Sequence, residues 1–338
     1  MAHNLCKVDG AMLDDPANEE NMPFDYVANA TAHLLNIVRA NSQLRSSPLH
    51  AQLLSLMEFW NAAPEGREKG RAVDAFVDLA YFGTVGKALW YLRGKNDPQL
   101  QRELERLATV PGALIGNQYL FYIAGTLAAK GYDVSFVPEK GKQGKKTPDL
   151  RASKNGKTVW IEANAKQPKR LIDTPAKLWQ LIRDIINEKK QKFADPTYWP
   201  GLITADISPA QHLVNENGTI PRLKLREDLC RPLGASLADG FIYPLYADDE
   251  WHTQPENQGN VFAYAVDEFS RIDRAKYGVT QCLITITRRV WHDGHQLALP
   301  KGHQLLVHRL SEADALLELS RHIYMVDSKT DDESVDRA

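Results

Sequence analysis

Two acids stand out for where a simple hairpin would put them. The stretch Thr147–Lys166 reads TPDLRASKNGKTVWIEANAK. Asn155-Gly156 at its centre favours a two-residue type I′ turn, because both central residues of that turn need positive φ. With these two as the loop, Lys154 pairs with Lys157 and Asp149 falls directly opposite Glu162, with Cβ atoms about 5 Å apart. Alternation then puts Leu150, Ala152, Val159, Ile161, Ala163 and Ala165 on one face, which suits burial. Asp149, Arg151, Trp160, Glu162, Asn164 and Lys166 share the other. A loop one residue longer or shorter would break the match. Opposed like charges destabilise a strand pair, so something must offset them. A divalent cation would do so, since Mg²⁺ is commonly held by one or two carboxylates together with water and substrate phosphate. A solvated pair, or neutralisation by a neighbour such as Arg151, is the plainer alternative. On spacing alone the two readings stand level.

The elements that must position these acids are legible in outline. YVANATAHLLNIVRA, LHAQLLSLMEFW, AVDAFVDLAYFGTVGKALWYL and DPQLQRELERLATV place apolar residues at steps of three and four, which predicts helices between Asp25 and Val110. Ser46-Ser47-Pro48, Pro64-Glu65-Gly66 and the Gly94–Pro98 stretch break them. After Pro111, NQYLFYIAGTLAAKG predicts a helix stopped at Gly131. DVSFVPE predicts a strand, PAKLWQLIRDIINEKKQKFA a long helix, and PGLITADIS a buried strand. VTQCLITITRRVW predicts the strongest strand of the chain, while VFAYAV fits a helix or a strand. The fold class is therefore α/β. Residues 1–24 are expected to form a flexible arm, 25–110 a helical accessory domain, and 111–326 an α/β domain with core 112–208 and extension 209–326. Residues 327–338 read as a disordered tail.

Pro148-Asp149, a hairpin of suitable length and Ile161-Glu162 resemble the PD-(D/E)xK nuclease superfamily. The helix 117–130, three strands, the helix 174–194 and the strand GLITADIS follow that family's element order. The resemblance implies a restriction-endonuclease-like core, a mixed central sheet flanked by helices. It implies that Asp149 and Glu162 bind Mg²⁺ or Mn²⁺ and that a nearby lysine helps activate water. The family's lysine position holds Asn164 here, with Lys166 one step further along the same face. A helix glutamate that many members use as a further ligand is replaced by Asn117-Gln118. The expected catalytic set is therefore Asp149, Glu162, Lys166, Asn164 and Gln118, with Gln118 orienting a metal-bound water. Glu139 is a weaker candidate for a third carboxylate.

Charge supports a nucleic-acid partner locally but not globally. The chain's net charge of -2 advertises no polyanion, whereas Glu139–Arg170 carries ten lysines and arginines against three acids. Lys145, Lys146, Lys169 and Arg170 are the expected phosphate contacts. Lys189, Lys190 and Lys192 add to the patch, with a solvated helix face as an equal alternative. Three scattered cysteines fit neither a disulfide framework nor a zinc site. With no signal peptide or membrane span evident, a cytoplasmic protein is expected. GKQGKKT fails as a phosphate-binding loop, since Gly141 and Gly144 are too close and Pro148 stands where a helix should begin. His292 and His295 fit solvent-facing residues on a turn better than zinc ligands. The leading expectation is a metal-dependent phosphodiester hydrolase, with DNA the favoured substrate. A degenerate core that binds nucleic acid without cutting it is the alternative. A protein-interaction scaffold, with a partner or second copy bound through the N-terminal helices, is the weaker one.

Overall fold

The computed structural model describes residues 7–15, 23–62, 82–110, 113–139, 146–165, 175–207, 242–246, 261–292 and 295–307. The chain divides into two compact units. One comprises Met1–Ala129, Thr287–Pro300 and His322–Ala338, and the other Lys130–Ile286 and Lys301–Arg321.

The first unit is built from helices α1 (Gly10–Asp14), α2 (Pro23–Ala40), α3 (Pro48–Ala62), a helical stretch at 82–91, α4 (Pro98–Thr109) and α5 (Ala113–Ala129). Asp97 accepts from the amides of Gln99 and Leu100, and Pro98 opens α4, a start that satisfies otherwise orphaned donors. Leu34, Leu35, Val38, Phe82 and Val85 are fully or almost fully buried, as the helical periodicity requires. One expectation is corrected here. Inside the segment read as a flexible arm, Gly10–Asp14 is helical, capped by Asp9, with Leu13 fully buried. Trp90 Nε1 donates to Asp14 Oδ1 at 2.9 Å. Leu13 joins Tyr26 and Ala30 in a small core against which Val8, Met12 and Trp90 pack, and this core docks the segment.

The second unit is a mixed α/β structure. Its strands are β1 (Asp133–Phe136), β2 (Leu150–Lys154), β3 (Lys157–Ala165), β4 (Gly201–Asp206) and β5 (Ile242–Tyr246), with β6 (Val279–His292) as far as Ile286 and β7 (His295–Val307) from Lys301 onward. Their order in the sheet is β1-β2-β3-β4-β6-β7-β5. The first three form an antiparallel meander, and β3, β4 and β6 run parallel. A parallel pair cannot be joined by a tight turn, and α6 (Pro175–Lys189) makes the crossover from β3 to β4. The helices α7 (Val261–Ser270) and α8 (Arg274–Tyr277) precede β6. VFAYAV thus resolves as helix, and QLALP and QLLV lie on the one strand β7.

Packing places α6 against the sheet. Leu181, Ile182, Ile185 and Ile186 share a core with Ile203, Ala205, Val279 and Ile284 from the strands and with Val266 and Phe269 of α7. Every residue of β4 is buried, as expected of a central parallel strand. Cys282 fills part of this core, and burial pushes its thiol up to about 12, so it behaves as a small hydrophobe. A Cβ on Gly201 would stand 2.4 Å from the Phe193 ring. Only glycine lets β4 start against that ring, which anchors the chain just beyond α6.

Candidate active site

The hairpin forms in the register that the Asn-Gly turn dictates. Asn155 and Gly156 both have positive φ, 51° and 76°. Lys154 pairs with Lys157 and Leu150 with Ile161. Asp149 stands one residue before β2, and its amide donates to the Ile161 carbonyl at 2.9 Å. Its own carbonyl accepts from Val137 at 2.8 Å. The backbone of Asp149 is therefore fixed on both sides, its amide bonded to Ile161, the residue just before Glu162.

Burial of the two strand faces follows the alternation. Leu150, Ala152 and Ile161 are fully buried on one face. On the other, Trp160 packs against the α6 core and meets Tyr198 edge-on, with ring centroids 5.1 Å apart. Glu162 pairs with Ile203 across β4, so it looks toward α6 rather than into bulk water. It is 1% exposed.

The end of α6 supplies what offsets the opposed charges. Helix α6 tightens into a 3-10 turn, Lys190–Phe193, where residues three apart eclipse one another. Lys189 and Lys192 thereby come to one side. Lys189 Nζ lies 3.0 Å from Glu162 Oε1. Lys192 Nζ lies 3.2 Å from Asp149 Oδ1 and 2.5 Å from Glu162 Oε2. The latter is a contact of charge and not an aligned hydrogen bond, since Oε2 has no hydrogen-bond partner. The remaining Asp149 oxygen, Oδ2, accepts from the Ala163 amide at 2.9 Å. Two acids and two lysines form the cluster, Glu188 meets Lys189 at 3.5 Å from its outer side, and the Lys192 ammonium bridges both carboxylates.

Its electrostatics are those of a buried site. Burial, then the charge of Asp149, push Glu162 up to about 8, against the opposing pull of Lys192 and Lys189. Burial would lower Lys192, but Glu162 and Asp149 together outweigh it and raise its pKa. The helix C-terminus adds negative potential where Lys189 sits.

The structure brings Asp149, Glu162 and Asn164 to one strand face. Asn164 Nδ2 is buried without a hydrogen-bond partner. Lys145, Lys166, Lys169 and Arg170 lie outside the described residues. Lys146 is exposed just before the site. Gln118 is buried in α5 of the first unit, and its neighbour Asn117 donates to the Glu103 carbonyl at 3.3 Å. Glu139 is exposed. Asp206 pairs with Ala165 three positions along β4 from Ile203, so strand parity turns it away from the face of Glu162.

Sequence reasoning missed the inward lysines. Lys189 and Lys192 read equally as additions to a phosphate-binding patch and as a solvated helix face. The signal was their three-residue spacing at the end of a crossover helix that returns to the strand beside Glu162.

The donor set suits a hard divalent cation. Two carboxylate oxygens, Asp149 Oδ1 and Glu162 Oε2, converge on one position, and a cationic group, the Lys192 ammonium, already stands between them. Among the described residues no cluster of three or more His, Cys, Asp or Glu occurs. A metal here would thus rely on two carboxylates plus water and substrate oxygens, as Mg²⁺ commonly does.

No protein-family model, curated protein or solved structure matches the chain.

Proposed function

We propose that the chain is a metal-dependent nucleic-acid phosphodiester hydrolase with a restriction-endonuclease-like core, DNA being the favoured substrate. One observation carries the reading: Asp149 and Glu162 converge on a single cation position at the edge of a buried α6–sheet core. The antiparallel hairpin, crossover helix and parallel strand in that order support it, as does the excess of lysine and arginine around the acids.

Asp149 and Glu162 would hold Mg²⁺ or Mn²⁺. Bound there, such an ion polarises phosphate oxygens and makes hydroxide accessible near neutral pH. The chain's own residues do the rest. The Ala163 amide locks the Asp149 carboxylate in place. Lys189, from α6, takes the lysine role that the Asn164 position lacks, presenting positive charge to an attacking water or a phosphate oxygen. Asn164 Nδ2 offers an unused donor to orient that water. Lys146 is placed to meet a phosphate backbone, with Lys145, Lys166, Lys169 and Arg170 as further candidates.

The test is cleavage of duplex DNA, single-stranded DNA and RNA in Mg²⁺, Mn²⁺ or chelator. Asp149→Ala is expected to lower metal-dependent cleavage by about a thousand-fold or more, with circular dichroism unchanged. Equal cleavage by the variant and the parent would overturn the reading. The ion-pair cluster favours one other reading, a degenerate core that binds nucleic acid in a salt-sensitive way and cleaves none of these substrates.

A further inference from the structure

The hydrolase reading leaves one geometric problem, and resting on that reading, its solution assigns a second role to Lys192. The two oxygens best placed to hold a divalent cation are the two that the Lys192 ammonium touches. A metal and this ammonium cannot share that position. A divalent ion and an ammonium a few ångström apart repel strongly in a site this buried, where Glu162 is 1% exposed.

We propose that Lys192 is an internal competitor for the metal site: its ammonium occupies the cation position at rest, and a divalent ion binds only by displacing it. With both carboxylates ionised the resting site is neutral, and exchanging the ammonium for a divalent ion raises its charge by one unit, which suits an anionic substrate. At rest, Lys192 and Lys189 face Asp149 and Glu162. When the ion binds, the ammonium leaves on its flexible four-carbon stem and is free to meet a phosphate oxygen of the substrate. Lys189 differs, because it meets Glu162 through Oε1 and Glu188 at 3.5 Å, and leaves the bridging position open. The anchor beneath this exchange is rigid. Phe193 is fully buried and packs where Gly201 leaves space. Trp199 Nε1 donates to the Phe193 carbonyl at 2.7 Å. The stem of Lys192 can therefore swing while its backbone stays fixed.

The experiment measures Mn²⁺ affinity from the spin-resonance signal of the free ion, using the full chain. Lys192→Met is expected to bind Mn²⁺ at least about ten-fold more tightly than the parent, and Lys189→Met to gain less. A second measurement needs no substitution. In the parent, the Lys192 amine is expected to resist acylation in chelator and to become labelled when Mn²⁺ is added, while exposed Lys146 stays constant. Equal Mn²⁺ affinity in Lys192→Met and the parent, or Lys192 labelling indifferent to saturating Mn²⁺, would overturn the proposal and leave the hydrolase reading standing. No Mn²⁺ binding by the parent or by either variant would overturn both.

Discussion

Each unit of this molecule holds an acid and a base in contact at nearly one distance, and the two contacts behave differently. In the helical unit Arg93 meets Asp14 at 2.9 Å, with side chains 50% and 54% exposed. In the sheet unit Lys189 meets Glu162 at 3.0 Å, with side chains 17% and 1% exposed. Hydrogen bonds from Trp90 and Arg93 hold the Asp14 carboxyl below its usual range, so it stays ionised and water screens it. Burial pushes Glu162 the other way. Arg93 also stacks over Trp90, 4.1 Å from the ring centroid, which makes that contact a clasp for α1. Distance alone does not separate a fastening from a reactive site. Burial and the convergence of like charges do.

The largest stability effect should come from stripping the buried cluster of its cations. The double variant Lys189→Ala, Lys192→Ala is expected to lose about 3–5 kcal/mol of unfolding free energy at pH 9, because it leaves buried carboxylate uncompensated. The loss should shrink at pH 6, where Glu162 carries its proton. Urea titration at both pH values checks this, and equal stability of parent and variant at pH 9 would place the cluster with surface pairs.

The second effect concerns pH. The folded chain holds Glu162 at about 8 against an ordinary 4.5, so the fold favours its neutral form. Stability from that preference is complete below the unfolded value and fades as pH rises toward the folded one. In chelator, the melting temperature of Glu162→Gln relative to the parent should therefore rise between pH 5 and pH 8.5. A flat difference across that range would contradict the burial argument. Arg93→Ala should give the smallest effect, a slight drop in melting temperature. The ion-pair part of it should vanish in 1 M salt, where charges are screened within about 3 Å.

How much of this was legible in the sequence differs between the same two units. The hairpin register was legible because Asn155-Gly156 admits one tight turn and a period of two then fixes every facing pair. The strands GLITAD and VTQCLITITRRVW were legible from their apolar, β-branched runs. Asp149 and Glu162 come together at the open end of that hairpin, both in contact with Lys192. Lys189 and Lys192 were not legible, because their direction depends on the 3-10 turn and on how α6 packs against β4 and α7. Both are tertiary facts. The docking of α1 was hidden for the same reason: Val8, Met12 and Leu13 are a short apolar group in a polar stretch, and Trp90 binds Asp14 from 76 positions away.

The most direct test is a crystal grown with Mn²⁺ and examined for the anomalous signal of manganese. A peak is expected between the carboxylates of Asp149 and Glu162, with metal–oxygen distances of roughly 2 Å and the Lys192 ammonium displaced from both. Saturating Mn²⁺ with no peak there, and Lys192 still bridging the two acids, would contradict this expectation.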